Sequence, residues 1–188
     1  MIMDELITDR SAADLDYVVR LAAKIRAGTA TAAEQAEWLA GLKGSYTDED
    51  MNRVGEAVEF LADYLNGLQG VLDAYRAARG VAADSIFNVT WGAISVTVKV
   101  DWTDADEPTP AQLTAYLSAV NTVTAAITVT RALPGSMIDL TITGANEIEK
   151  ALQAEYDAGL DFEALKKTLI ENAAAAWFYS GDLYGGEV

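Results

Sequence analysis

Cysteine and histidine are both absent from this chain of 188 residues. Without cysteine there is no disulfide to staple the fold, no thiolate nucleophile and no zinc site of the finger type. Without histidine, the usual general base near neutral pH, the commonest metal ligand and every Ser-His or Cys-His triad are missing. Basic residues are scarce too: 13 lysines and arginines face 29 aspartates and glutamates, for a net charge of −16. A surface of that sign repels phosphate backbones and anionic lipid over a Debye length, so neither nucleic acid nor membrane is an expected partner. No apolar run has the length and purity of a membrane span. The nearest, Ala111 to Thr130, is charge-free but crowded with threonine and serine, and reads as a buried or contact helix. The first ten residues carry Asp4, Glu5 and Asp9 in place of a basic n-region and apolar core, so a signal peptide is not expected and synthesis in a cytoplasm is. Phosphate-loop, dinucleotide and nucleophile-elbow motifs are all missing, so no cofactor is expected.

What the chain does have is a seam. Met51, Val54, Val58, Leu61, Leu65, Leu68, Leu72 and Tyr75 recur at steps of three and four, which keeps one apolar ridge turned toward a neighbouring helix. Thr47 with Asp50 opens this helix; Asn66, Gly67 and Gly70 interrupt it, but the preserved phase beyond them predicts one long or gently kinked helix as far as Arg79. Ser11 with Asp14 and Thr31 with Glu34 have the same capping pattern and predict two shorter helices before it, ending near Gly28 and Gly44.

From Ile86 the period changes to two. Phe87, Val89 and Trp91, then Ile94, Val96, Val98 and Val100, alternate with polar residues around Gly92 and Ala93, which predicts a β-hairpin over 86–100. Leu113, Leu117, Val120, Val123 and Ile127 mark a fourth helix after Pro110. Ile138, Leu140 and Ile142 alternate as a short third strand would, and a final helical region follows from about Ala145 to Tyr179, split near Gly159 and Asp161. The expected fold class is α+β: one mainly helical domain over 1–188, with N-terminal helices in 11–79, the hairpin, and C-terminal helices in 110–179.

Candidate chemistry is thin. Asp101, Asp104, Asp106 and Glu107 form the densest oxygen-rich cluster, but their spacing matches no EF-hand and reads more simply as a solvated acidic turn. Paired carboxylates suffice for glycoside cleavage, yet nothing in the sequence singles out a pair. Trp38, Trp91 and Trp102 read as packing residues before they read as a sugar platform. Trp177, Phe178 and Tyr184 crowd the C-terminus, either folded back on the core or offered to a partner. No catalytic, cofactor or metal residue is assigned. The residues assigned to interaction are the eight of the seam together with Trp177, Phe178 and Tyr184.

Four separated strings carry a family resemblance. Ala36-Glu37-Trp38-Leu39-Ala40-Gly41-Leu42-Lys43-Gly44, followed by Tyr46, Thr47 and Asn52-Arg53-Val54-Gly55-Glu56-Ala57-Val58, resembles the opening domain of structural proteins from phages and prophages of Gram-positive bacteria. Asp101-Trp102-Thr103 leading to Pro108-Thr109-Pro110-Ala111-Gln112, then Gly144-Ala145-Asn146-Glu147-Ile148-Glu149-Lys150, and Ala175 through Tyr184 extend the likeness over most of the chain from Asp9. The resemblance implies a non-enzymatic tail, baseplate or fibre-associated protein, made in the bacterial cytoplasm and assembled into the virion. It also implies a homo-oligomer whose partners are other virion proteins, since fibres and adaptors of this kind are usually cyclic. The competing expectation is a small carbohydrate-binding module or glycan-cleaving enzyme acting on the host envelope. The stretch after Asn66 and Leu160 to Asn172 depart from the family pattern.

Overall fold

Every α-helix among the described residues begins at a serine or threonine. In a computed structural model that describes residues 1–79, 91–127 and 132–182, α1 (Ala12–Arg26) is capped by Ser11, α2 (Ala32–Leu39) by Thr31 and α4 (Pro110–Thr124) by Thr109, each with a complete capping box. At the start of α3 (Asp48–Arg79) the Thr47 N–H donates to Asp50 Oδ2 at 2.9 Å. At the start of α5 (Ile142–Asp182) the Gly144 N–H donates to Thr141 Oγ1 at 3.0 Å. These caps satisfy backbone donors that a helix start leaves without partners, which is why the boundaries fall where serine and threonine stand.

The long helices α3 and α5 lie side by side and run in the same direction. Arg53 meets Glu149, Phe60 meets Tyr156 and Tyr64 meets Glu163, so the numbers on both helices rise together. Helix α4 starts at the same end, where the Tyr116 hydroxyl donates to the Met51 carbonyl at 2.7 Å, and finishes where the Ile127 N–H donates to Glu155. Between them sits the core: Val54, Val58, Leu61 and Leu65 of α3, Val120 and Val123 of α4, and Ile148 and Leu152 of α5, all without exposed surface. Parallel helices need a long return path. The described part of the first return, residues 91–109, runs without helix or strand.

The first return corrects the predicted hairpin. Residues 94–100 are extended, and Ile94, Val96 and Val98 face the core while Ser95 and Thr97 are exposed, as the alternation required. The described residues nevertheless contain no β-strand, because what covers the apolar face is a helix: the segment lies antiparallel along α3. Two asparagines of α3 do what a neighbouring strand would do. Asn66 accepts from the Ile94 N–H at 2.9 Å and donates to the Ile94 carbonyl at 2.8 Å. Asn52 does the same for Trp102, at 2.7 and 2.8 Å. The two clamps lie about 21 Å apart along the helix axis, within the ~26 Å that eight extended residues can span. Gly55 sits between them, and a Cβ there would stand 2.9 Å from Val100 Cγ1 and 3.1 Å from the Lys99 carbonyl, so only glycine lets the segment lie this close. The predicted first strand, Phe87 to Thr90, falls outside the described residues; Trp91, its last member, is buried with its indole N–H bonded to the Leu65 carbonyl.

Two further expectations are corrected. Ile138 and Leu140 lie in a turn that leads straight into α5, so the third strand is absent; a three-residue alternation is too short to distinguish a strand from a helix entry. Helix α5 also runs through Gly159 without a break. The missing side chain accommodates Tyr64, whose Cε1 would lie 2.6 Å from a Cβ at that position, so this glycine serves packing between helices and not a turn.

Candidate functional site

The first ten residues form no regular element beyond a short turn of 3-10 helix at Ile2–Glu5, yet they enter the interior between α3 and α5. A third asparagine clamp holds them: Asn146 of α5 accepts from the Arg10 N–H at 3.0 Å and donates to the Arg10 carbonyl at 2.8 Å. The Arg10 side chain, 1% exposed, then reaches a cluster of buried charge. Its Nη2 lies 2.7 Å from Asp50 Oδ1, and its Nη1 lies 2.7 Å from Glu149 Oε1 and from the Ile7 carbonyl. Arg53 closes the ring against Asp50 and, at 3.2 Å, against Glu149. The Ile7 N–H donates to the second Glu149 oxygen.

Two guanidinium groups and two carboxylates make this cluster neutral as a whole, and each carboxylate is already saturated with donors. Burial disfavours the charged form of Arg53, but Glu149 and Asp50 outweigh it and hold the guanidinium above its usual range. The arrangement is a lock for the N-terminal segment, built from residues far apart in sequence.

Phenols surround the lock. Burial pushes Tyr46 and Tyr116 well up, and the nearby carboxylate of Glu149 adds to the shift. Tyr64, partly buried against α5 and bonded to Glu163 at 3.3 Å, is raised from 10.0 to about 12. For groups whose value is raised on folding, the stabilisation of the neutral form is complete below the unfolded value and is lost as pH rises through the folded one. Alkaline unfolding is therefore expected between pH 10.0 and about 12, and Tyr46→Phe should move its midpoint upward. Circular dichroism with tyrosinate absorbance checks this; full tyrosine ionisation near pH 10 with the fold intact would refute it.

The surface tells a different story at the end where α3, α4 and α5 begin. Helices α1 and α2 leave Val19 60% and Leu39 83% exposed, with Leu15, Trp38 and Ile138 also at the surface. Two open grooves adjoin them. One, of about 480 Å³, runs between Val18, Trp38, Leu39 and Trp102. The other, of about 770 Å³, runs between Leu15, Val18, Tyr46, Leu113 and Ile138. Clustered exposed apolar side chains of this kind mark contact surfaces.

Of the seam residues, Met51, Val54, Val58, Leu61, Leu65 and Leu68 are buried inside the monomer. Leu72 and Tyr75 lie on α3, and Trp177 and Phe178 on α5, at positions whose side chains are outside the description, as is the whole of Tyr184. In the acidic loop, Asp106 closes a turn by accepting from the Thr103 N–H at 2.8 Å, and Lys99 bridges Asp101 and Asp106. No group of three or more potential ligands among the described residues is placed to hold a metal ion. Trp102 is buried, its indole N–H bonded to the Lys99 carbonyl at 2.9 Å. No described helix is long and apolar enough to cross a membrane.

Sequence reasoning missed the Arg10, Asp50, Arg53 and Glu149 cluster, although a signal existed. Glu149 stands between Ile148 and Leu152 on the apolar face of α5, where a charge has to find a partner. No family model, no curated protein and no solved structure matches the chain.

Proposed function

We infer that the chain is a non-enzymatic structural protein of a phage or prophage virion, belonging to the tail, baseplate or fibre region, made in the bacterial cytoplasm and working by self-assembly and docking to other virion proteins. The observation that carries this reading is the resemblance of the four strings quoted above. Their roles in the fold support it: they contain Asn52, Arg53, Gly55, Trp102, Asn146 and Glu149, which form clamps, a close approach and the ionic lock. Motifs made of such positions define a scaffold and contribute no reacting group.

The exposed apolar end around Leu39 and Val19 is the docking face in this reading. Glutamate at these two positions is expected to leave the melting temperature nearly unchanged, because surface substitutions usually cost within about 0.5 kcal/mol. The same double change should reduce incorporation of the protein into particles at least tenfold, scored by mass spectrometry of particles purified after prophage induction. Absence of the wild-type chain from such particles would overturn the reading, and so would release of reducing ends from cell-wall glycans by the purified protein.

A further inference from the structure

Asn66 stands directly before Gly67, and no other asparagine of the chain precedes a glycine. Such a pair is chemically labile. A glycine has no Cβ to shield its peptide nitrogen or to restrict its backbone, so that nitrogen can approach the carboxamide carbon of the preceding side chain. Neither packing nor backbone geometry requires glycine at this position. Gly67 is helical and exposed, and a Cβ there would meet nothing within 4 Å, whereas Gly55 and Gly159 make room for Val100 and Tyr64. It therefore weakens the middle of α3 without any return in packing.

Two constraints hold the reaction off in the folded chain. Both polar atoms of the Asn66 carboxamide are engaged by Ile94: Oδ1 accepts from its N–H at 2.9 Å and Nδ2 donates to its carbonyl at 2.8 Å, which ties the side chain to the extended segment. Inside the helix, the Gly67 N–H supplies the helical hydrogen bond to the Asp63 carbonyl. Asn52 and Asn146 are clamped in the same way, but Arg53 and Glu147 follow them.

We propose that Asn66–Gly67 is a self-modification site gated by the Ile94 clamp: when the clamp and this turn of α3 open together, Asn66 is deamidated, and the chain keeps a permanent mark of the opening. The Gly67 nitrogen bonds to Asn66 Cγ, the Cγ–Nδ2 bond breaks, and Nδ2 leaves as ammonia with the proton that the peptide nitrogen gives up. Water then opens the cyclic imide at either carbonyl, leaving aspartate or isoaspartate at position 66. Neither product restores the clamp. A carboxylate can accept from the Ile94 N–H but has no donor for the Ile94 carbonyl, and it adds a negative charge one turn from the exposed Asp63. Isoaspartate also lengthens the main chain by one carbon, out of step with the helical ladder. The site is independent of what the chain docks to.

The test incubates the full chain at neutral pH, folded and in denaturing urea, and follows each asparagine by peptide mapping that separates aspartate from isoaspartate. In urea, Asn66 is expected to convert at least tenfold faster than Asn52 or Asn146. In the folded chain its conversion should fall at least tenfold. It should rise again in sub-denaturing urea in proportion to hydrogen exchange at the Gly67 N–H, since both then follow the population of the open form. Gly67→Ala has room for its methyl group, so it should keep the circular dichroism spectrum and suppress conversion in urea at least tenfold. The converted fraction, separated by its added charge, should unfold at lower urea than the parent, and Asn66→Asp should do the same. Equal rates at the three asparagines in urea would overturn the site, and conversion of the folded chain at the rate seen in urea would overturn the gate. An unchanged unfolding midpoint in the converted fraction would show that the clamp survives, and would overturn the proposed consequence.

Discussion

Glu149→Ala is expected to cost about 3–5 kcal/mol of stability, because it leaves the Arg10 guanidinium buried without half of its compensation. Arg10 is 1% exposed and would retain Asp50, shared with Arg53, the Ile7 carbonyl and the face of the Tyr46 ring. The Ile7 N–H would lose its acceptor as well. For a chain of this size the loss corresponds to a fall in melting temperature of roughly 6–20 °C. The paired variant Arg10→Met with Glu149→Leu removes one charge of each sign and leaves Asp50 against Arg53. Replacing a buried ion pair by apolar groups of similar volume is often neutral or stabilising, so the double variant is expected to recover most of the loss. Calorimetry on the parent, Arg10→Met, Glu149→Leu and the double variant gives the coupling energy directly. A single variant that melts within a few degrees of the parent would mean that water reaches the cluster and that the lock contributes little.

The second large effect concerns the clamps. Asn52→Ala and Asn66→Ala each strip the partner from one backbone N–H and one C=O. A buried group left in that condition costs about 1–3 kcal/mol. The two sites lie about 21 Å apart on α3 and share no partner, so their effects should add. Hydrogen exchange distinguishes this from general destabilisation: the N–H groups of Ile94 and Trp102 should lose protection in the double variant well before those of α5 do. Leucine at either position would not help, since it offers the peptide group nothing to bond. Retained protection at both amides would show that packing of Ile94, Val96 and Val98 holds the segment unaided.

These two devices also mark the limit of what could be read from the residues. Helix starts were legible because a hydroxyl followed three positions later by a carboxylate or carboxamide is a local signal, and Ser11, Thr31 and Thr47 each give it. The long α3 was legible because Leu68 keeps phase with Leu61 and Leu65 across Asn66 and Gly67, and all three leucines are buried. The hairpin was not. Alternation at Ile94, Val96 and Val98 reports an extended chain with one face covered, and is silent on whether a strand or a helix covers it. Asn66 carried the missing information, yet an asparagine in a helical pattern reads as a weak point and not as a surrogate strand. The lock was hidden for another reason. Its members stand at positions 10, 50, 53 and 149, and only the parallel arrangement of α3 and α5 brings them together.

The Asn146 clamp and the Glu149 contacts join the first ten residues to a helix that the ribosome delivers some 136–142 positions later. Until that helix emerges, Arg10 has no carboxylate from α5 to meet and Met3 has no complete cavity to fill. The N-terminal segment therefore has to wait for the synthesis of some 136–142 further residues, and this part of the interior is sealed in a step that unites elements far apart along the chain. A nascent chain stalled before residue 146 should leave that segment open to protease, while one extended past α5 should not.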